Sequence, residues 1–221
     1  MKLSRLYTND DALFASVNFR EGLNAIIARI QHPTDDDKSS HCLGKTLIID
    51  VIDFCLLKSV GKKGHFLKVR DDLFGHLTFF LEIELQTGGF LTVRRAVDDA
   101  TKVAFKRHRE RHQDLSQMID ENWDHVGVSL SASVKMLDAY LALKAIKPWS
   151  YRKGFNYFLR RQEDYANEFQ LRKFMNGNHK DWKPYVAKVL GFDETKIIEK
   201  YEADTEESTI KAQRDDAQGN V

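Results

Sequence analysis

Apolar and polar residues alternate, cluster and thin out along this chain in a way that divides it into three stretches. In the first, Lys2 to Thr8 and Ala12 to Phe19 have the length and composition of short strands, and Gly22 precedes the apolar run Leu23–Ala28, which reads as a buried strand. Gln31 to Ser40, with Pro33 and the carboxylates Asp35, Asp36 and Asp37, has loop composition. Leu47 to Leu57 is almost wholly apolar apart from Asp50 and Asp53, which share one face, so a helix buried on most sides is expected, ended by Gly61 and Gly64. Leu77–Leu85 and Phe90–Arg95 alternate on either side of Gly88-Gly89 and predict a hairpin, with a further strand over Thr101–Phe105.

From about Asp114 the pattern turns helical. Val134, Leu137, Leu141 and Ala145 fall on one face before Pro148, and Phe155, Phe158, Leu159 and Gln162 suggest a second helix. A third, short helix is framed by Pro184 at its first turn and Gly191 past its last, with His179–Pro184 as a loop leading in. Beyond Asp193 apolar residues thin out, which predicts a helix leaving the globule or fraying. The expected organisation is a sheet lobe over residues 1–111, a helical subdomain over 112–196, and a coiled-coil start or tail over 197–221. The fold class is α/β, a mixed sheet with an antiparallel hairpin layer and a helical C-terminal half.

Composition removes several alternatives. With 42% hydrophobic and 30% charged residues among 221, the chain has an ordinary globular balance and is not disordered throughout. A net charge of +1 argues against a generic polybasic nucleic-acid binder. Two cysteines, Cys42 and Cys55, cannot build a disulfide framework, and His41 beside Cys42 finds no further ligands at metal-site spacing. No apolar run approaches eighteen residues and Met1–Asp11 lacks a signal core, so a cytoplasmic protein with no membrane partner is expected.

The chemistry-bearing motif is Ser39-Ser40-His41-Cys42-Leu43-Gly44-Lys45-Thr46, which matches the second half of the phosphate-binding loop G-x-x-x-x-G-K-[ST] with Ser39 in place of the first glycine. Such a loop cradles phosphates with the backbone N–H groups of Ser40 to Thr46 at a helix start. The Lys45 ammonium would reach the β- and γ-phosphates and the Thr46 hydroxyl would ligate Mg²⁺. Its placement between an apolar strand and an apolar helix is the context the motif requires. Ser39 leaves the turn to reach its geometry another way, and Asp35–Asp37 bring negative charge near a phosphate site unless they point into water.

The order of Phe19-Arg20-Glu21-Gly22-Leu23-Asn24-Ala25-Ile26-Ile27, the loop and the Ile-Asp-Phe helix resembles the first lobe of SMC/RecF-type ATPases, in which F-x-x-G-L-N-x-I-x-G feeds the phosphate loop. His41-Cys42-Leu43-Gly44-Lys45-Thr46 is similar to the H-x-L-G-K-[ST] loop of a bacterial SMC-like branch, and Leu77–Arg95 to the lobe-one sheet whose strand closes on an arginine. Leu159–Glu163 followed by Tyr185–Asp193 resembles the Q-loop and the segment before the coiled-coil arm. The resemblance implies a P-loop head lobe that binds ATP and Mg²⁺, with Lys45 and Gln162 catalytic and Thr46 and Gln162 on the metal. It implies a dimer, a coiled coil from Ile197, and action on DNA in repair or anti-phage defence. Neither an L-S-G-G signature nor an apolar strand ending Asp-Glu occurs; Leu47–Asp50 belongs to the helix after the loop. Hydrolysis is therefore expected only with a C-terminal half or a partner that supplies those motifs.

A different class of function, a non-catalytic nucleotide-binding or interaction scaffold, is favoured by Ser39 and opposed by Lys45, Thr46 and Gln162. A small P-loop kinase fits poorly, because helical sequence stands where its later Asp-terminated strand is needed. The basic run Arg107–His112 could meet nucleic-acid phosphates or form a solvated charged loop. Trp149–Lys153 reads mainly as packing at a helix start.

Overall fold

A computed structural model describes residues 1–27, 45–61, 65–160 and 179–219. The chain forms two compact units, Met1–Ala142 and Leu143–Val221. Among its described residues the first is built on six strands: β1 (Lys2–Thr8), β2 (Val17–Asn18), β3 (Thr78–Glu84), β4 (Phe90–Ala96), β5 (Lys102–His108) and β6 (His125–Ser129). They lie in the order β2-β1-β3-β4-β5-β6. Each pairing among them is antiparallel, where a mixed sheet was expected.

The hairpin forms as its alternation predicts. Phe79, Leu81 and Ile83 on β3 stand opposite Arg95, Val93 and Leu91 on β4, so one face carries an almost continuous apolar layer. Against it packs α1 (Lys45–Cys55), which buries Val51, Ile52, Phe54 and Cys55 and sets the Phe54 ring edge-on to Phe79 with centroids 6.1 Å apart. The opposite face carries Tyr7, Phe80 and Ala104. It is covered by the segment 109–124 through Leu115 and Trp123, with Tyr7 and Phe80 stacked at 4.9 Å.

Several expected boundaries move, each for a local reason. Helix α1 ends at Cys55 without Gly61 or the undescribed Gly64. Leu57 takes a left-handed φ of 69°, its N–H donates to Phe54 O at 2.9 Å, and the N–H of Lys58 reaches Asp53 O at 3.0 Å, a Schellman closure with leucine where glycine is usual. The strand expected over Ala12–Phe19 shrinks to β2, because Asp10 Oδ1 accepts the N–H groups of Ala12 and Leu13 and turns the chain. Leu23–Ile27 is not a buried strand: it pairs with no strand among the described residues, and Leu23 and Ile27 are 96% and 73% exposed. Asn24 organises its approach, accepting from Arg20 N–H and donating to the carbonyls of Arg20 and Gly22.

After β5 the chain is not yet helical. It crosses the sheet face with one short 3₁₀ turn at Asp120–Asn122 and returns as β6, which sequence reading missed. Gly127 at φ 65° and a register shift between Val103 and Phe105 break the alternation that would have marked it. Helix α4 (Leu130–Leu141) buries Leu137 and Leu141, and left-handed Ala142 closes it, so Ala145 lies outside it in a 3₁₀ turn.

Before the second unit's helices begin, α2 (Phe66–Val69) and α3 (Asp71–Phe74) are single turns preceding β3. The second unit holds α5 (Phe155–Phe158), α6 (His179–Val189) and α7 (Thr195–Gly219). Helix α6 begins by His179, so Pro184 is inside it rather than at its first turn, and His179–Pro184 is helix rather than loop. Gly191 at φ 81° ends α6 as expected, with Phe192 N–H reaching Ala187 O. Beyond the turn, α7 runs 25 residues with most of its side chains in water, in keeping with the thinning of apolar residues. Aromatic contacts hold the unit together: Trp149 meets Tyr185 edge-on at 5.7 Å, as the packing role read for Trp149–Lys153 requires, and Tyr157 stacks on Tyr185 at 6.3 Å.

Candidate functional site

Lys45 and Thr46 lie in α1, at the start of its described residues. Ser40, His41, Cys42, Leu43, Gly44 and Gln162 lie outside the described residues, as do Ser39, Asp35–Asp37 and Ala28.

What positions α1 is visible at its other end. Arg95 sits on β4 at the α1 face with 1% exposure. Its Nη1 donates to Phe54 O at 2.6 Å and Lys58 O at 2.8 Å, and its Nε and Nη2 both donate to Ala100 O, at 2.8 and 2.6 Å. The guanidinium also lies 4.1 Å over the Phe54 ring. The C-terminal carbonyls of α1 carry the negative end of the helix dipole, so a buried cation there both completes hydrogen bonds and is stabilised by the field. The strand that closes on an arginine thus fixes the helix that carries Lys45 and Thr46. The alternation of Phe90–Arg95 places Arg95 at the end of the strand, but its anchoring role has no sequence signal because its partners are backbone carbonyls.

Buried carboxylates line the same helix. Asp53, 6% exposed, meets Lys58 Nζ at 2.8 Å, closing the helix end a second time. Burial pushes the Cys55 thiol up to about 12, with the Arg95 charge opposing the shift, so this cysteine stays protonated and unreactive in the fold.

The basic run Arg107–His112 is largely consumed by structure. Arg111 donates from Nε to Ser4 Oγ and from Nη2 to Phe19 O, and the His108 ring stands between Thr92 Oγ1 and Glu110 O at 2.8 Å from each. The neighbouring Lys106 is paired with Asp124 at 2.8 Å. A groove lined by Lys2, Leu3, Phe19, Arg20, Glu21, Gly22 and Asn24 runs beside the exposed Leu23–Ile27 segment. Its Lys2 is engaged by Glu21 at 2.7 Å, a hydrogen bond that lowers the glutamate's pKa and raises the lysine's.

Among the described residues no group of three or more His, Cys, Asp or Glu is placed to hold a metal ion, and no helix is long and apolar enough to cross a membrane. No family model, curated protein or solved structure matches the chain.

Proposed function

We propose that this chain is the N-terminal head lobe of an SMC/RecF-like P-loop ATPase. The amides of Ser40–Thr46 would cradle the phosphates of ATP, Lys45 would neutralise them, and Thr46 with Gln162 would hold Mg²⁺. The observation that carries the reading is that Lys45 and Thr46 lie in a helix packed on the sheet and anchored at its far end by Arg95, and a helix held in this way can direct the N–H groups of its N-terminus at phosphates. The exposed apolar residues Leu23, Ile26 and Ile27 support the need for a second lobe, since an exposed apolar run gains from being covered. That lobe, a C-terminal half or a partner, would bring the Asp-Glu strand and the signature motif, and the assembled head would act on DNA in repair or anti-phage defence.

The scaffold reading keeps two observations on its side, Ser39 in the loop and the same exposed apolar segment. Sedimentation of the protein with and without ATP·Mg²⁺ separates the two. A head lobe self-associates or recruits its second lobe in an ATP-dependent way that Lys45→Ala abolishes. Association indifferent to ATP favours the scaffold.

A further inference from the structure

The sheet face away from α1 is crossed by residues 109–124, whose one regular element is the 3₁₀ turn at Asp120–Asn122. Leu115 and Trp123 seat this segment on Tyr7, Phe80 and Ala104. The charges around that seat follow a pattern that the nucleotide reading does not use. Three aspartates of the segment each meet a cation from a different strand. Asp114 Oδ2 lies 3.9 Å from Arg5 Nη2 on β1, Asp120 Oδ1 lies 2.7 Å from Arg94 Nη2 on β4, and Asp124 Oδ1 lies 2.8 Å from Lys106 Nζ on β5.

Each meeting point carries a second contact. Arg5 Nη1 donates to His112 O at 3.0 Å, and its guanidinium lies 4.3 Å over the Tyr7 ring. Arg94 lies 4.6 Å over the ring of Trp123. Asp124 Oδ2 accepts the backbone N–H of Arg107 at 2.7 Å. Between these points Glu82 Oε1 accepts His112 N–H at 3.0 Å, and the Tyr7 hydroxyl accepts Leu115 N–H at 3.1 Å.

None of the three ion pairs is strong alone. Asp114 and Asp120 are 54% and 62% exposed, and pairs open to water contribute little each and are screened by salt. The sheet beneath does not depend on them, since β1, β3, β4, β5 and β6 keep their own ladders. The crossing segment has no ladder or long helix to fall back on. Its hold is divided among three strands and two apolar side chains, so the contacts persist only while the segment lies down as a whole.

We propose that residues 109–124 form an ionic strap. Held by Asp114, Asp120 and Asp124, it lifts from the Tyr7–Phe80 face as one unit while the strands stay paired, and it lifts more readily as ionic strength rises.

Hydrogen exchange of the whole chain, followed amide by amide, tests this. Leu115 N–H, on the Tyr7 hydroxyl, and Trp123 N–H, on Asp120 O at 3.1 Å, report the two ends of the strap. They should share one protection factor, about tenfold or more below that of Val93 on β4. That factor should fall by about threefold between roughly 0.05 M and 0.5 M salt. Asp120→Asn keeps the side chain's shape and removes one charge. It should speed exchange at Leu115, which Asp120 does not touch, as much as at Trp123, by about twofold to fivefold. Replacing all three aspartates by asparagine should remove most of the salt dependence. Protection at Leu115 and Trp123 equal to that at Val93 overturns the proposal. So does an Asp120→Asn effect confined to Trp123, or a salt dependence that survives the triple substitution. Should the triple variant fail to fold, the comparison of the strap with Val93 across salt in the unaltered protein decides.

Discussion

Replacing Arg95 by methionine removes the guanidinium and keeps the apolar stem, so it isolates the anchor of α1. Four hydrogen bonds of 2.6–2.8 Å go, with contact to the Phe54 ring. Phe54 O keeps the N–H of Leu57, but Lys58 O and Ala100 O each lose this donor. Charge-assisted bonds contribute about 1.5–3 kcal/mol each, and a buried carbonyl stripped of its donor costs roughly 1–3 kcal/mol. Against this stands the desolvation of a wholly buried cation, which the substitution relieves. The balance is a loss of about 3–5 kcal/mol, the range seen when one side of a buried charged contact is deleted. Urea unfolding followed by circular dichroism measures it, and in a unit of this size it corresponds to a fall in Tm of roughly 10 °C. Arg95→Lys should fall between the two proteins, since a single ammonium nitrogen lacks the planar fork whose separate nitrogens reach Phe54 O, Lys58 O and Ala100 O. A loss below about 1 kcal/mol for Arg95→Met, at unchanged denaturant slope, would refute the anchoring role.

Three further predictions follow from individual contacts. At Gly154 a β-carbon would overlap the hydroxyl of Tyr185, itself 2% exposed and wedged by Trp149 and Tyr157, so Gly154→Ala should cost about 1–3 kcal/mol and change the near-ultraviolet dichroism of the aromatic cluster. Gly89→Ala should cost about 1 kcal/mol or more, because φ is +75° and His108 O lies 2.9 Å from where the methyl would go; Gln86→Ala in the same turn is the near-neutral control. The folded pKa of Cys55, raised from 9.0 to about 12, gives stability that is complete below pH 9 and lost as pH rises through about 12. Unfolding free energies of the protein and of Cys55→Ala, compared at about pH 8 and about pH 10, should show a shallower decline in the variant, by up to ~1.4 kcal/mol per pH unit. An identical decline would contradict the burial of the thiol.

How much of this was legible in the sequence depends on whether an element's pattern arises from its own burial. The hairpin Thr78–Ala96 and helix α1 were, because each buries a regular face and its period survives in the residues. Helix ends were less so: nothing in Leu57 announces a left-handed residue, whose strain is offset by burying its side chain to 2% exposure. The run Leu23–Ile27 has the composition of a core strand, yet composition cannot supply the neighbour that would bury it. The segment 109–124 misled in the opposite sense. Its attachment rests on single polar bonds to Ser4, Tyr7 and Glu82 from distant strands, and such bonds leave no periodic trace. For the candidate site, helix α1 was legible from its apolar pattern, whereas the strand expected before the loop does not form at Leu23–Ile27. Arg95, which holds that helix, was hidden because its partners are backbone carbonyls.

ATP binding through the loop that ends at Lys45-Thr46 is tested most directly by titrating the protein with ATP and Mg²⁺ in a calorimeter, beside Lys45→Ala of unchanged circular dichroism. Saturable binding that weakens by about tenfold or more in the variant is the expected result, the scale of losing one charge-assisted phosphate contact. Equal heats from both proteins, or no binding by either, would contradict it.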